Sequence, residues 1–302
     1  MPFKEIKLND GRIIPQIGFG TGSVNKSKPP SEVHDNVLTA IDVGFDHIDT
    51  AQVYGNELQV GEALKETGLS RSEIWVTTKW SGVAATRPAQ AIKQSLDKLG
   101  LSYVDLYLIH SPRLVRPNVL QGWEEMQDVH KAGLAKSIGV SNFLISDLQE
   151  LESAAITPAV NQILLHPYVY AATKPLLDYC AQKGIKIEAY SPLVPLTAYP
   201  GGPVDKPVYA IAERLGVAPE QVLLAWIKSK GAVILTTSSK KERLERYQGV
   251  ADIDLTEEDV EAIEAAGAKG PGFARFRKYV KPLALGLAVQ AAVYAFHKYL
   301  VY

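Results

Sequence analysis

Gly44-Phe45-Asp46-His47-Ile48-Asp49-Thr50-Ala51-Gln52-Val53-Tyr54-Gly55-Asn56 is the stretch that decides the fold. It opens as a short strand over 46–50, with Ile48 apolar between polar neighbours, and breaks into a loop before Gly55. Asp49 therefore stands at the carboxyl end of a strand, and the phenol of Tyr54 follows in the next loop. Three later segments repeat the layout. Trp75-Val76-Thr77-Thr78-Lys79 ends in a lysine, and Val104-Asp105-Leu106-Tyr107-Leu108-Ile109-His110 ends in a histidine ahead of Ser111-Pro112. Ala135-Lys136-Ser137-Ile138-Gly139-Val140-Ser141-Asn142 ends in two small polar side chains. Ionisable residues gathered at the carboxyl ends of successive strands mark the active face of a (β/α)8 TIM barrel.

The flanking sequence supplies the rest of such a barrel. Residues 6–15 alternate apolar and polar around Asn9-Asp10-Gly11, which predicts an N-terminal β-hairpin. Residues 17–22 predict a first buried strand and a glycine-rich loop. Their glycines miss the dinucleotide spacing G-x-G-x-x-G, so they are read as letting the backbone approach something closely. Helices at 33–43, 58–67, 88–99, 119–131, 146–153 and 174–183 then alternate with strands ending at Asp49, Lys79, His110, Asn142, Ile163 and Ser191. A proline- and glycine-rich stretch, 192–207, precedes helices at 208–215 and 219–230. An eighth strand at 232–237 and a helix at 240–247 complete eight β-then-α units. These predict one closed parallel barrel over 1–266, finished by the helix 256–266 with its Thr-Glu-Glu-Asp capping signature. Residues 267–302 form a C-terminal tail, predicted helical.

Composition narrows the function classes. The 302 residues are 46% hydrophobic and 22% charged, enough for a sizeable core. A net charge of −1 argues against nucleic acid as the main partner. Cys180, the single cysteine, leaves no intrachain disulfide and no cysteine-based metal cluster. The first residues lack the apolar run of a secretory signal, so a cytoplasmic location is expected.

Asp49, Tyr54, Lys79 and His110 together suit one chemistry. A phenol titrates at about pH 10, too high for good acid-base work at neutrality. A lysine ammonium beside it is expected to lower that value, and a buried carboxylate to keep the lysine charged and oriented. Histidine donates a hydrogen bond that places a carbonyl oxygen. The set suits proton delivery to an oxygen whose charge develops during reaction, as in carbonyl reduction. Singly, each residue also has an ordinary structural reading as a salt-bridge partner or packing group.

The stretch 44–56, Lys79, Ile109-His110-Ser111-Pro112, Gly139-Val140-Ser141-Asn142-Phe143, Asn161-Gln162 and Ala189-Tyr190-Ser191-Pro192-Leu193 resemble the aldo-keto reductase superfamily, in register over about residues 6–266. The resemblance implies that Asp49, Tyr54, Lys79 and His110 form the catalytic tetrad, with Tyr54 the general acid. It implies NADPH as cofactor. Ser141, Asn142 and Gln162 would then bind the nicotinamide carboxamide and Tyr190 would stack on the ring, with Thr21, Ser191 and Leu193 as further contacts. Ser238, Lys240 and Arg243 would meet the phosphate end, Arg243 facing a 2′-phosphate. Thr237-Ser238 stands where many members carry Lys-Ser, a variant resembling fungal NADPH-dependent ketoreductases of the α-keto amide and conjugated polyketone type. Lys240 or Lys241 is the candidate substitute for the missing lysine. Gly22 and Trp80 are candidates for the substrate pocket, Trp80 equally for packing. The substrate class implied is a small carbonyl compound: an aldehyde, α-keto ester, α-keto amide or diketone.

Two other functions are open to this fold, an NADPH-binding redox-sensing subunit with little turnover and a Schiff-base aldolase using Lys79. The tail keeps two readings of its own. Residues 283–302, preceded by Arg275, Arg277, Lys278 and Lys281, are long and apolar enough for a membrane anchor. Gln290, His297 and Lys298 favour instead a helix packed on the barrel or bound at a surface.

Overall fold

The computed structural model describes residues 3, 5–22 and 29–271. The tail at 272–302, with both readings of it, lies outside the described residues. Strand β1 (Ile6–Lys7) pairs antiparallel with β2 (Ile13–Ile14), and Gly11 takes the left-handed backbone (φ 88°) that the turn between them requires. Ile6, Leu8 and Ile14 are buried in one cluster with Trp75, Leu106, Leu108, Val160, Val233 and Leu235, so the hairpin closes one end of the barrel interior.

The barrel strands are β3 (Ile17–Gly20), β4 (His47–Asp49), β5 (Trp75–Trp80), β6 (Val104–Ile109), β7 (Ala135–Ser141), β8 (Val160–Leu164), β9 (Lys186–Tyr190) and β10 (Val233–Thr236). They are parallel and close in the order β10-β3-β4-β5-β6-β7-β8-β9. Every residue of β5 and β6 is buried, because helices cover the outside while side chains fill the inside. Alternation along β6 shows both layers: Leu106 and Leu108 join the interior cluster, whereas Tyr107 and Ile109 pack in the outer core beneath the helices.

That outer layer begins with α1 (Pro30–Asp42), α2 (Glu57–Glu66), α3 (Pro88–Leu99) and α4 (Val119–Lys131). It continues through α5 (Ile145–Gln149), α6 (Pro167–Gln182), α7 (Val194–Thr197), α8 (Asp205–Leu215), α9 (Pro219–Ser229), α10 (Lys241–Gln248) and α11 (Glu257–Gly267). At α11 the Thr256 side chain accepts from Asp259 N and the Asp259 carboxylate accepts from Thr256 N, the reciprocal cap read from the sequence.

Several boundaries differ from the sequence reading, most clearly around α5, α6 and 192–207. Helix α6 starts at Pro167, not at 174: Pro167 opens it, and Pro175 is carried inside it against the breaking tendency of proline. Helix α5 stops at Gln149, and the chain continues in tight turns closed by Leu151 N on Leu148 O and Ala154 N on Leu151 O. The stretch 192–207 contains the short helix α7. Among the described residues no helix is long and apolar enough to cross a membrane.

Candidate active site

Asp49 ends β4, Lys79 lies near the end of β5, and His110 follows β6, so closing the sheet brings the three together at one mouth. The Lys79 side chain is fully enclosed; its Nζ donates to Asp49 Oδ1 at 2.6 Å and to Thr50 O at 2.9 Å. Tyr54 reaches the mouth from a single 3-10 turn, Gln52–Tyr54. Its loop is clamped by buried Asn56, whose Nδ2 donates to Thr21 O at 3.0 Å while Oδ1 accepts from Thr50 Oγ1 at 3.0 Å and Thr21 Oγ1 at 3.3 Å. The Tyr54 ring stands 5.2 Å from Lys79 Nζ and edge-on to His110, centroids 5.6 Å apart. Gly22 lies against that ring: a Cβ there would fall 2.7 Å from Tyr54 Cζ. The close approach read from the glycine-rich loop is an approach to the phenol.

Burial is the largest influence on the phenol and pushes its pKa up; Lys79 pulls it down and Asp49 opposes the lysine, leaving Tyr54 above its ordinary value. The expectation of a lowered phenol is thus corrected, because the sequence shows the lysine but not the loss of water around the ring. Burial also works against the Lys79 ammonium, yet Asp49, Tyr54 and Glu188 outweigh it and raise its pKa. Tyr54 is a neutral donor next to a firmly charged lysine.

A second buried acid lies deeper. Gln162 Nε2 donates to Asp49 Oδ2 at 2.9 Å and to Glu188 Oε2 at 2.8 Å, bridging the two carboxyls. Burial, then repulsion from Asp49, pushes Glu188 up to about 8. His47 Nε2 lies 3.9 Å from Glu188 Oε1 and 3.0 Å from Thr77 Oγ1; burial pushes that histidine down to about 3. Lys79 and Asp49 form the enclosed ion pair of this interior.

On the far side, Ser81 Oγ lies 2.7 Å from His110 Nδ1. Gln52 Oε1 accepts from Ser81 N at 3.1 Å and Val83 N at 3.4 Å, which ties the loop after β5 to the turn bearing Tyr54. Trp80 is buried and its Nε1 donates to Thr86 O at 2.8 Å, a bond that fixes the indole in place. Thr21 is fully buried with its hydroxyl on Asn56, so it braces the loop that carries Tyr54.

Along the other rim, Ser141 Oγ donates to Gln162 O at 2.9 Å and accepts from Asn142 Nδ2 at 3.0 Å. The hydroxyl thus satisfies strand-end backbone, the ordinary structural use of such a residue. Asn142, at φ 61°, accepts from the Tyr190 hydroxyl through Oδ1 at 2.9 Å and donates to His110 O at 3.2 Å. This holds the half-buried Tyr190 ring in place. Ser191 is likewise left-handed, at φ 57°, and Leu193 leads into α7.

Past β10, Thr237 Oγ1 is buried without a partner, and Ser238 Oγ accepts from Lys240 N at 3.0 Å ahead of α10. Lys240 and Arg243 are exposed at that helix start, while Lys241 is paired with Asp42 on α1. An orphan hydroxyl, a helix amino terminus and two exposed cations fit the phosphate end of a dinucleotide. Arg246 pairs with Glu220 and Tyr247 is buried, so both serve the packing of α10 on α9.

Sequence reading missed Ser81, Gln52, Asn56 and Glu188. Their partners lie on other strands or loops, and only the two-residue step from Lys79 to Ser81 hints that both face one way. Among the described residues no group of His, Cys, Asp and Glu is placed to hold a metal ion.

Comparison with known proteins returns a consistent match. The model of the Aldo/keto reductase family matches residues 16–268. An NAD/NADP-dependent indole-3-acetaldehyde reductase of Schizosaccharomyces pombe is 40% identical, covering 86% of this chain and 94% of its own length. A glycerol 2-dehydrogenase (NADP(+)) of Saccharomyces cerevisiae is 37% identical over 86% of this chain and 89% of its own. Among solved structures, a Bombyx mori aldo-keto reductase in complex with NADP superposes with a TM-score of 0.80 at 35% identity, covering 88% of this chain and 93% of that one.

Proposed function

The chain belongs to the aldo/keto reductase family, and from that premise we propose that it is an NADPH-dependent reductase of small aldehydes and ketones with Tyr54 as the general acid. One observation carries the reading: Lys79, fully enclosed and paired with Asp49, lies beneath the Tyr54 ring, which faces His110. The cofactor, when bound, supplies the hydride. Tyr54 donates its proton to the carbonyl oxygen as charge grows there, and Lys79 stabilises the phenolate left behind. Asp49 keeps Lys79 charged and fixed, and His110 orients the carbonyl.

Ser141, Asn142 and Gln162 would hold the carboxamide, Tyr190 the ring, and Ser238, Lys240 and Arg243 the phosphates, with Ser191 and Leu193 alongside. The finer substrate reading is an aldehyde, α-keto ester, α-keto amide or diketone with an apolar substituent. It is supported by Val53 and Val83, each 42% exposed on the two loops that Gln52 joins beside Tyr54.

The geometry opposes the aldolase alternative. A Schiff-base lysine works from a lowered pKa and a free amine, whereas Lys79 is raised and locked to Asp49. The regulatory alternative differs from an enzyme only in turnover. Absorbance of NADPH or NADH with a panel of aldehydes, keto esters, keto amides and diketones separates the two. Carbonyl-dependent loss of NADPH, faster than of NADH, is the expected result. Tight NADPH binding with no oxidation by any carbonyl would favour the regulatory subunit.

A further inference from the structure

The register of β5 against β6 pairs Lys79 with Leu108 and Trp80 with Ile109. His110 N donates to Trp80 O at 3.0 Å and continues the ladder one step, which sets Ser81 beside His110. The serine backbone is fixed by Gln52, and its Oγ has two neighbours to choose between. His110 Nδ1 lies at 2.7 Å, whereas Lys79 O lies at 3.5 Å, the outer limit for such a bond. A hydroxyl carries one proton: given to Lys79 O it leaves Oγ to accept from a protonated Nδ1, given to Nδ1 it makes that nitrogen the acceptor, and the shorter separation favours the second.

A neutral imidazole carries its hydrogen on one nitrogen, and the bond made by the other decides which. We propose that Ser81 is a positioning residue for His110: its hydroxyl donates to Nδ1 and so keeps the ring proton on Nε2, available to the oxygen of a bound carbonyl. The opposite tautomer would present a lone pair to that oxygen and repel it. In this arrangement Ser81 acts through the histidine, while the edge-on Tyr54 ring limits how far the imidazole turns. This inference rests on the carbonyl-reductase reading for its consequence, but the hydrogen bond itself does not.

The test uses the full chain with Ser81→Thr and Ser81→Val, nearly equal in shape and differing in the hydroxyl. Ser81→Val is expected to lower kcat/KM for the carbonyl roughly tenfold, the scale of one lost hydrogen bond. NADPH affinity, read by quenching of protein fluorescence, stays unchanged and reports that the variant is folded; Ser81→Ala replaces it if it is not. Ser81→Thr restores the turnover that Ser81→Val loses. Nitrogen-15 spectra of His110, assigned by comparison with His110→Gln, are expected to show hydrogen on Nε2 in the unaltered protein and in Ser81→Thr, and a mixture in Ser81→Val. Hydrogen on Nδ1 in the unaltered protein, or equal turnover in the Thr and Val variants, would overturn the proposal. Failure of the unaltered protein to reduce any carbonyl would count against the functional reading alone, since the nitrogen spectra still decide the hydrogen bond.

Discussion

Gly22 shows how a residue without a side chain controls one with chemistry. The Tyr54 ring fills the space a Cβ would occupy, so Gly22→Ala must push the phenol away from the substrate oxygen. A displacement on the order of an ångström costs about 10² in rate when geometry controls the step. The expected outcome is a kcat lower by at least about tenfold with NADPH affinity nearly intact, measured by steady-state kinetics beside a binding titration. Unchanged kcat would mean that the ring yields freely and that the glycine has another purpose.

Among elements, α10 and the loop before it are the ones proposed to carry the cofactor preference. Arg243 stands exposed on the first turn of α10, at the amino terminus of that helix. Arg243→Ala is expected to weaken NADPH by about 1.5–3 kcal/mol, the scale of one charge-assisted contact, and NADH far less. Equal weakening of both would place the arginine on adenine and not on the 2′-phosphate. The strand ends were legible in the sequence because strand pattern and residue type coincide there: Asp49, Lys79 and His110 each close a short strand-like run. The start of α6 was not, since Pro175 looks like an opening proline although Pro167 already opens the helix. Nor were the clamps Asn56 and Gln52 or the Ser81–His110 bond, which join elements that meet only when the barrel closes. Glu188 reads as an ordinary polar residue in a strand until its burial is known. The same blindness to burial reversed the expected direction for the Tyr54 phenol.

For the whole molecule, the buried ionisable groups set how stability follows pH. Glu188 has its pKa raised from 4.5 to about 8 on folding, so between those values the folded state holds a proton the unfolded state has released. Its contribution is therefore lost as pH rises through that window. His47 and His166 run the other way: burial takes them from 6.5 to about 3 and about 4, and stability is lost as pH falls below 6.5. Glu188→Gln keeps the shape and the acceptor for Gln162 but removes the titration. Urea midpoints at about pH 5 and about pH 8 are expected to show the variant gaining on the unaltered protein as pH rises. A constant difference would contradict a protonated Glu188. The same interior encloses the Lys79–Asp49 ion pair below Tyr54, and that arrangement is the basis of the proposed chemistry. Its most direct test is Tyr54→Phe, with NADPH oxidation measured at saturating carbonyl and NADPH binding measured alongside. The account predicts a loss of at least ~10² in kcat with cofactor affinity nearly unchanged; near-normal turnover in that variant would contradict it.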